Sequence, residues 1–443
     1  MRWLRPPKGG ATWIRMLVYV VLLSALVACR PIQAPAAEPP TSITAPPDVP
    51  TVAAASAARQ QRMWAQLWQT VADRYVYPDF NGVDWPAQRL TVANEIARGL
   101  TDDAFYALLD DVILQLGDDH SAFLSPQRVA EEQREIEGVA GYVGIGAYLG
   151  VNPDGGYAYV FDLFPGSPAA MGGLLPHDHI LAVDGVAVVG PAGELRLDLI
   201  RGTAGSPVTL TVRTPGQQER DITLNRAQID AAIPVAVGNL LPTALTGDRL
   251  IGYIMLSTFF QDDVVGVFQV IIEDLMRGGD LDGLVVDLRT NGGGFTDQMV
   301  EIAGFFTQGE IGRLKEGAAI SQRFVAVAQP TGNSQTTPLV FLIGRGTESA
   351  AEMLAGMLQQ QGRADLVGQP TAGNSEIIDY FEFEDGSAVW IATQVFRLPD
   401  DTGFEGVGLH PDLAVPGSDW DQFTGDDDPG LAAAVRLLTE SGP

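Results

Sequence analysis

The stretch PLVFLIGRGTESAAE (residues 338–352) joins an apolar run typical of a buried strand to a helix-patterned stretch that continues to Gln361. A glycine-containing turn separates the two, so Ser349 stands where a strand gives way to a helix. A hydroxyl at such a turn is exposed, rigidly aimed and close to free helix N–H groups that can stabilise an oxyanion. Ser349 and Glu352 also have the S-x-x-E spacing of a capping box, and taken alone the segment favours a plain helix cap.

Strands and helices alternate along the C-terminal half of the chain. We predict a strand over Ile251–Leu256, a helix over Asp263–Met276 and a buried strand over Gly283–Leu288, which together indicate a layered α/β core. The last strand leads into DLRTNGGGF (residues 287–295), whose three consecutive glycines permit a sharp turn with exposed N–H groups, although a plain loop is the alternative. No Lys-Ser/Thr pair follows, which excludes a phosphate-binding P-loop.

Two amphipathic helices are predicted nearer the N-terminus. The first lies within Arg59–Phe80, and the second starts at a Thr101 cap and stops at Gly117. Their apolar stripes contain Trp64, Leu67, Trp68, Val71 and Tyr75, and Phe105, Leu108, Leu109, Val112 and Leu116. We expect these helices to pack as an N-terminal module (residues 58–136), with the aromatic side chains in its core.

The first 28 residues indicate export from the cytoplasm. A basic start precedes an apolar run (residues 16–27) that is too short for a comfortable membrane span and is typical of a secretory signal. The run ends in Leu-Val-Ala-Cys29, at the single cysteine of the chain, and resembles a bacterial lipobox whose cysteine becomes the lipidated N-terminus. An ordinary signal peptide or an N-terminal anchor is the alternative, and all three place the bulk of the chain outside the cytoplasm.

Residues 29–57 are predicted to form an extended tether. Seven prolines lie between residues 30 and 57 without apolar periodicity. The formal net charge of the chain is −28, and the signal carries four cations and no acids, so its removal makes the mature chain more acidic still. This charge argues against nucleic acid or anionic lipid as a partner.

Short β-rich runs separated by glycine turns occupy residues 137–228. Within them, FPGSPAAMGGL (residues 164–174) is followed by DHILAVDG (residues 178–185), an order that resembles a PDZ domain of the bacterial protease-associated kind. The resemblance implies that loop N–H groups hold a peptide's terminal carboxylate while the peptide adds as a strand. The loop residues are Val143, Gly144, Ile145 and Gly146.

His177 and His179 form an H-x-H pair beside this PDZ-like order. In a strand the two side chains would share one face, but the sequence offers no third metal ligand near them. We expect local turn chemistry at this pair, and we expect no metal site.

Three motifs in order resemble the C-terminal processing peptidase and tricorn-core family of serine peptidases. They are D-L-R-x-N-G-G-G from Asp287, x-S-A-A-E around Ser349 and G-x-P-T-x-G from Gly368. The resemblance covers roughly residues 60–420 and includes the PDZ insertion. It implies an α/β fold in which a layered, crotonase- or ClpP-like peptidase core (residues 229–443) carries an N-terminal helical module and an inserted β-rich PDZ domain.

The general base differs between two branches of this family. In the C-terminal processing branch it is a lysine twenty-five residues after the serine, but this chain has Asn374 there, and an amide cannot accept the serine's proton. In the tricorn-core branch it is a histidine in an L-G-x-x-H turn of the helical module, which His120 matches. Its partner there is a glutamate in a segment near the C-terminal end, which Glu405 matches.

Two side chains remain candidates for orienting His120, namely Asp119 and Glu405. Adjacent side chains usually point apart, so we favour Glu405 over Asp119. His410 is a rival base, but it lies between Leu409 and Pro411 in a segment that looks structural.

The sequence therefore predicts a secreted, membrane-tethered serine endopeptidase that hydrolyses protein or peptide substrates without a metal or organic cofactor. By the resemblance, Ser349 attacks the scissile carbonyl, His120 relays the proton and Glu405 stabilises the imidazolium. The backbone N–H groups of Gly293 and Ala350 would form the oxyanion hole. The PDZ domain would capture substrate tails or gate the cleft, and oligomerisation is left open. The alternative is a catalytically inactive member that binds peptides or apolar ligands, which the missing lysine supports.

Overall fold

The computed structural model describes residues 52–118, 120–130, 142–191, 193–230, 234–425 and 427–440, with side chains from Ser56 onward. The predicted signal peptide, Cys29, most of the tether and Asp119 lie outside the described residues. No helix among the described residues is both long and apolar enough to cross a membrane.

The helices of the described residues are α1 (Val52–Arg74), α2 (Trp85–Ala97), α3 (Asp102–Leu114), α4 (Pro168–Met171), α5 (Leu197–Ile200), α6 (Thr243–Thr246), α7 (Val264–Leu275), α8 (Thr296–Ala303), α9 (Ala350–Gln360) and α10 (Pro429–Glu440), with a 3-10 turn at Phe80–Gly82. Residues 126–130 are also helical. Helix α1 begins at Val52, so the last residues of the predicted tether are helical.

The strands are β1 (Ala122–Leu124), β2 (Tyr142–Gly144), β3 (Ala147–Asn152), β4 (Tyr157–Leu163), β5 (His179–Val183), β6 (Val186–Ala187), β7 (Pro207–Arg213), β8 (Arg220–Asn225), β9 (Ala227–Ile229), β10 (Ala236–Leu240), β11 (Ile251–Leu256), β12 (Gly283–Asp287), β13 (Gly309–Glu316), β14 (Ala319–Ala326), β15 (Leu339–Ile343), β16 (Asp365–Gly368), β17 (Glu376–Glu382), β18 (Ala388–Arg397) and β19 (Leu413–Ala414).

A six-stranded sheet forms the centre of the layered core, in the order β10-β11-β12-β15-β16-β19. Strands β11 to β19 in this order are parallel, and β10 is antiparallel at the edge. Helices α7, α8 and α9 pack on one face, and α10 packs on the other. Because the carboxyl ends of parallel strands meet at one edge, the loops after β12, β15 and β16 lie together there.

The N-terminal helices do not have a hydrophobic core of their own. Strand β1 pairs with β18 in a second sheet, in which Ala122 lies opposite Trp390. The side chains of α1, α2 and α3 share one buried cluster with Val389 and Ile391 of β18. The module predicted as separate is therefore completed by strands from the C-terminal part of the chain.

The PDZ-like region has its own sheet, in the order β3-β4-β5-β7-β8, and its own buried cluster. A two-stranded ribbon of β2 and β9 closes its chain ends. Strand β3 is the outer strand, and it starts directly after the loop predicted to hold a terminal carboxylate.

Candidate active site

Ser349 occupies the sharp turn between β15 and α9. Its backbone has φ 52° and ψ −120°, which a residue with a side chain rarely adopts. Such a strained strand-to-helix turn presents a nucleophilic hydroxyl in other hydrolases. The Ser349 N–H donates to Glu352 Oε2 at 3.0 Å, which is one of the two bonds of a capping box. Ser349 is thus the N-cap of α9, and it has a strained backbone.

The glycine turn after β12 packs directly against Ser349. A Cβ atom on Gly293 would lie 2.7 Å from Ser349 Cβ and 3.1 Å from Ala350 N, and the φ of Gly293 is 89°. Only glycine allows this approach, because any side chain would overlap Ser349. The backbone of Gly293 and the first N–H of α9 therefore lie side by side at Ser349.

Asn291 ties this turn to the one that precedes Ser349. It is fully buried, and its carbonyl oxygen accepts from Glu348 N at 3.0 Å. Its side-chain Oδ1 accepts from Gly293 N at 2.9 Å. The Gly293 N–H, predicted as an oxyanion donor, thus already has an acceptor, whereas the Ala350 N–H stands at the first helical position, where no intrahelical acceptor exists.

Glu352 joins the Ser349 turn to the loop that follows β16. Its fully buried carboxylate accepts from Thr371 Oγ1 at 2.5 Å, from Gly373 N at 2.7 Å and from Asn374 N at 2.8 Å, besides Ser349 N. Burial raises the pKa of Glu352 to about 7, although these four hydrogen bonds oppose the rise. The S-x-x-E spacing indicated only the bond to Ser349, and the other three donors lie at least nineteen residues away in sequence.

Glu405 lies next to the same loop. Its Oε2 accepts from Ser375 N at 2.6 Å and from Ser375 Oγ at 2.7 Å, and Gly406 N donates to Gly373 O at 2.8 Å. The two carboxylates therefore bind consecutive residues of one loop: Glu352 accepts from Gly373 and Asn374, and Glu405 accepts from Ser375.

His120 lies in a capped turn after α3. Asp118 Oδ1 accepts from His120 N at 3.0 Å and also from Ser121 N, while Tyr75 donates its hydroxyl to Asp118 Oδ2 at 2.7 Å. Ser121 Oγ accepts from Ala392 N at 3.1 Å, which fastens the turn to β18. Asp118 and Tyr75 were not singled out from the sequence as supports of this turn.

The His120 ring is not bonded to its predicted partners. Its Nε2 is buried and makes no hydrogen bond with any described residue, so neither Ser349 nor Glu405 is hydrogen-bonded to it. The sheet still brings the two regions near one another, since β18 pairs with β17 and β17 begins directly after Ser375.

A second tyrosine lies between the His120 turn and the Glu405 loop. Burial raises the pKa of Tyr77, as do its hydrogen bond to Glu376 and the nearby charge of Glu405. Tyr77 follows α1 in sequence, so the end of this helix reaches the start of β17. The aromatic stripe was predicted as core, and no sequence pattern indicated this polar contact just beyond its end.

The PDZ loop is fixed by its neighbours. Ile145 O accepts from Ala169 N at 2.8 Å, and Gly146 O accepts from Ser167 Oγ at 2.8 Å. Val143 and Gly144 were predicted as loop residues, but they belong to β2, where they pair with β9, so only Ile145 and Gly146 lie between β2 and β3.

His177 and His179 do not serve local turn chemistry, and that expectation was wrong. His177 Nδ1 lies 2.6 Å from Trp420 O and His179 Nε2 lies 2.7 Å from Asp421 O, more than 240 residues along the chain. Burial lowers the pKa of both rings, so each stays neutral and donates to its carbonyl. The rival base His410 is exposed, and its carbonyl accepts from Gln359.

Three known families match parts of the chain. Peptidase family S41 matches residues 250–415, the tricorn protease C1 domain matches residues 56–113, and the PDZ domain matches residues 133–213. A carboxyl-terminal-processing protease of Picosynechococcus sp. is 30% identical over 385 residues, which is 86% of this chain and 90% of that protein. The chain belongs to peptidase family S41.

Other S41 relatives agree over similar lengths. The chloroplastic C-terminal processing peptidase of Tetradesmus obliquus is 31% identical over 374 residues, covering 80% of this chain and 77% of that protein. The solved structure of a photosystem II D1 C-terminal processing protease superposes with a TM-score of 0.64 at 26% identity, covering 86% of this chain and 98% of that one. The predicted family, the layered α/β fold with its PDZ domain, and the assignment as a serine-type peptidase are confirmed.

Proposed function

We propose that this S41 peptidase is a secreted, membrane-tethered serine endopeptidase in which Ser349 attacks the scissile carbonyl. The observation that supports it best is the strained Ser349 turn, against which the Gly293 backbone packs without room for a side chain. A helix cap needs neither the strain nor the close glycine. Both are useful to a nucleophile, because they aim its hydroxyl and bring N–H donors beside the developing oxyanion.

The oxyanion would be met by the N–H groups of Ala350 and Gly293. The Ala350 N–H points from the start of an eleven-residue helix, where the helix dipole favours negative charge. The Gly293 N–H donates to Asn291 Oδ1 in this structure, so it would serve the oxyanion as a shared donor. The buried Asn291 thereby keeps this N–H oriented before substrate arrives.

His120 would act as general base and then as general acid to the leaving amine. A neutral imidazole needs an unpaired nitrogen to accept the serine proton, and His120 Nε2 has no hydrogen-bond partner among the described residues. Asn374 provides no base at the position where the other branch has its lysine. Contact between His120 and Ser349 would then form when substrate draws the two sheets together, a tightening that apo enzymes often need.

Glu405 would stabilise the imidazolium, and Asp119 is the second candidate for that role. The Glu405 carboxylate is held by both donors of Ser375, which fixes its position at the start of β17. An oriented carboxylate beside the histidine holds the correct tautomer and offsets the charge that forms during proton transfer.

The substrates would be proteins or peptides recognised by their C-terminal tails. Strand β3 is the outer strand of its sheet and follows the segment Val143–Gly146, so a peptide can add to it as a further strand with its carboxylate at that segment. The relatives named above are processing proteases that act at carboxyl termini, which favours the same substrate class here.

Export and anchoring rest on the N-terminal sequence. The signal-like run and the single cysteine at position 29 support a lipid-anchored protein outside the cytoplasm. Replacing Cys29→Ala should move the protein from the membrane fraction to the soluble extracytoplasmic fraction, and an unchanged membrane fraction would contradict lipidation at Cys29.

Activity-based labelling tests the nucleophile. A fluorophosphonate probe should label the wild-type protein, and Ser349→Ala should abolish both labelling and peptide cleavage while the protein remains folded. Residual cleavage in Ser349→Ala would contradict the assignment. If the wild type neither labels nor cleaves but still binds C-terminal peptides, the inactive, ligand-binding alternative is favoured instead.

A further inference from the structure

The segment between β19 and α10 contacts the PDZ domain. We call residues 418–423 the docking segment. Its Trp420 and Asp421 carbonyls accept from the rings of His177 and His179, as described above. Trp420 Nε1 in turn donates to a carbonyl of β4 at 3.1 Å, and the Trp420 ring packs against His177 with centroids 4.4 Å apart. The PDZ domain is thus seated on the core through this short segment.

One buried carboxylate of the docking segment joins the two domains. Asp421 Oδ2 accepts from Asn152 Nδ2 at 3.0 Å and from the Tyr157 hydroxyl at 2.8 Å, both in the PDZ domain. Asp421 Oδ1 accepts from Arg345 Nη2 at 3.1 Å, in the core. The side chain of Asp421 is only 1% exposed. A buried anion requires its partners, so separating either domain from it leaves an uncompensated charge.

Arg345 lies in the turn that carries Ser349. Its N–H donates to Asp419 Oδ1 at 3.0 Å and its Nη2 donates to Asp419 Oδ2 at 3.1 Å, so the docking segment holds both the backbone and the side chain of this turn. Phe161 of β4 touches the same turn, since a Cβ on Gly346 would lie 3.2 Å from Phe161 Cζ. The PDZ domain therefore reaches the Ser349 turn through a charged contact and through an apolar one.

We propose that Arg345 and Asp421 are positioning residues through which the docked PDZ domain holds the Ser349 turn in its strained conformation. This inference rests on the proposed function, because it concerns the reactivity of Ser349 as a nucleophile. A residue with φ 52° keeps that backbone only where its surroundings fix it. We call the bonds of Asp421 to Asn152, Tyr157 and Arg345 the joint. Loss of the joint should slow the reaction at Ser349, and it should leave the KM unchanged for a short peptide without a PDZ-binding tail.

Three conservative variants of the full-length protein test the joint. Asp421→Asn removes the charge that both domains share, Tyr157→Phe removes one PDZ-side bond, and Arg345→Lys keeps the charge while losing the planar geometry of the guanidinium. Tyr106→Phe is the matched control, because it removes a tyrosine hydroxyl that donates to Asp385 Oδ2 at 2.6 Å outside the joint.

The first measurement is the rate of fluorophosphonate labelling, with kcat and KM on the short peptide. We expect the labelling rate and kcat to fall about tenfold in Asp421→Asn and about three- to tenfold in Tyr157→Phe, with KM unchanged. In Tyr106→Phe both rates should fall less than about twofold. If Asp421→Asn does not fold, the labelling rate of Tyr157→Phe tests the proposal instead. Wild-type labelling rates in the folded joint variants overturn the proposal while leaving the Ser349 assignment intact; a wild type that never labels contradicts both.

A double-mutant cycle separates positioning from general destabilisation. Tyr157 and Arg345 bond to different oxygens of one carboxylate, so Tyr157→Phe and Arg345→Lys should together slow labelling clearly less than the product of their separate effects. Rates that multiply independently would overturn the joint, because unrelated losses of stability have no reason to couple.

Discussion

The Ser349 turn and the His120 turn differ in how completely the structure holds their functional atoms. Around Ser349, the backbone of Gly293, the side chain of Asn291 and the carboxylate of Glu352 form a continuous bonded network. Around His120, the backbone is capped by Asp118 but the Nε2 atom has no partner among the described residues. Ser349, the proposed nucleophile, is held in place by this network, whereas only the backbone turn of His120, the proposed base, is held.

The two turns differ because their contacts are made by different sheets. The Ser349 network lies at one edge of one parallel sheet, and its hydrogen bonds are all made between residues of the core. The His120 turn reaches the site through β1 and β18 of another sheet. A side chain carried by a second sheet can approach or withdraw as the two sheets shift, and in the proposed mechanism the last step of assembly is the approach of His120.

The largest effect should come from His120→Ala. If His120 is the base, cleavage and labelling should fall about a thousandfold, because the serine proton then has no acceptor. His410→Ala is the matched control, since His410 is exposed and its structural contact is made by its backbone carbonyl. Retained activity in His120→Ala, or lost activity in His410→Ala, would contradict the assignment of His120 as the base.

Gly293→Ala should cost about a hundredfold in kcat, comparable to the loss of an oxyanion-hole donor. The new Cβ would lie 2.7 Å from Ser349 Cβ at a φ of 89°, so the turn must move away from the nucleophile. Gly292→Ala is the neighbouring control, because a Cβ there meets no atom within 4 Å, and a few-fold effect at most is expected. Equal losses of kcat in Gly293→Ala and Gly292→Ala would contradict the conclusion that close packing at Ser349 requires glycine at position 293.

Glu352→Gln should change how stability depends on pH. The folded-state pKa of about 7 exceeds the ordinary 4.5, so between these values the folded protein binds a proton that the unfolded chain has released. This contribution to the free energy of unfolding is fully present below pH 4.5 and is lost as the pH rises to 7, by about 3 kcal/mol.

Unfolding measured at several pH values in wild type and Glu352→Gln isolates this contribution, which the amide cannot make. Glu273→Gln, on the exposed face of α7, should leave the wild-type slope unchanged. Parallel wild-type and Glu352→Gln curves would show that the carboxyl titrates normally and that the network around Ser349 does not depend on its charge.

Asn374→Ala should have the smallest effect, less than about twofold in kcat. The bond from residue 374 to Glu352 comes from the backbone N–H, which alanine retains. A large loss of activity in Asn374→Ala would mean that the amide takes part in catalysis and that the base has been assigned wrongly.

Local sequence patterns predicted the elements that depend on local contacts. The strand over Ile251–Leu256 has the predicted bounds, and the predicted Asp263–Met276 helix is one residue shorter at each end. The strands of the second sheet were not predicted individually. Their role in covering α1 and α3 depends on pairing between β1 and β18, more than 260 residues apart, which no local pattern reveals.

The residues of the candidate site show the same difference between local signals and long-range contacts. Ser349 and the glycine turn were recognisable because a strand end, a turn and a helix start leave local signals. Glu352 was recognised only as a cap, since its bonds to Thr371, Gly373 and Asn374 cross between loops. The two histidines of the PDZ domain were misjudged for the same reason, because their acceptors lie in the docking segment.

The sequence by itself determined the family, the layered core, the position of Ser349 at a strand-to-helix turn and the absence of a lysine at position 374. Tertiary structure alone decided that Glu352 and Glu405 bind residues of one loop and that Asp421 joins the PDZ domain to the Ser349 turn. It also decided that His120 Nε2 has no hydrogen-bond partner among the described residues. Helix and strand patterns arise from contacts within a few residues, whereas buried carboxylates take donors from wherever the chain packs against them.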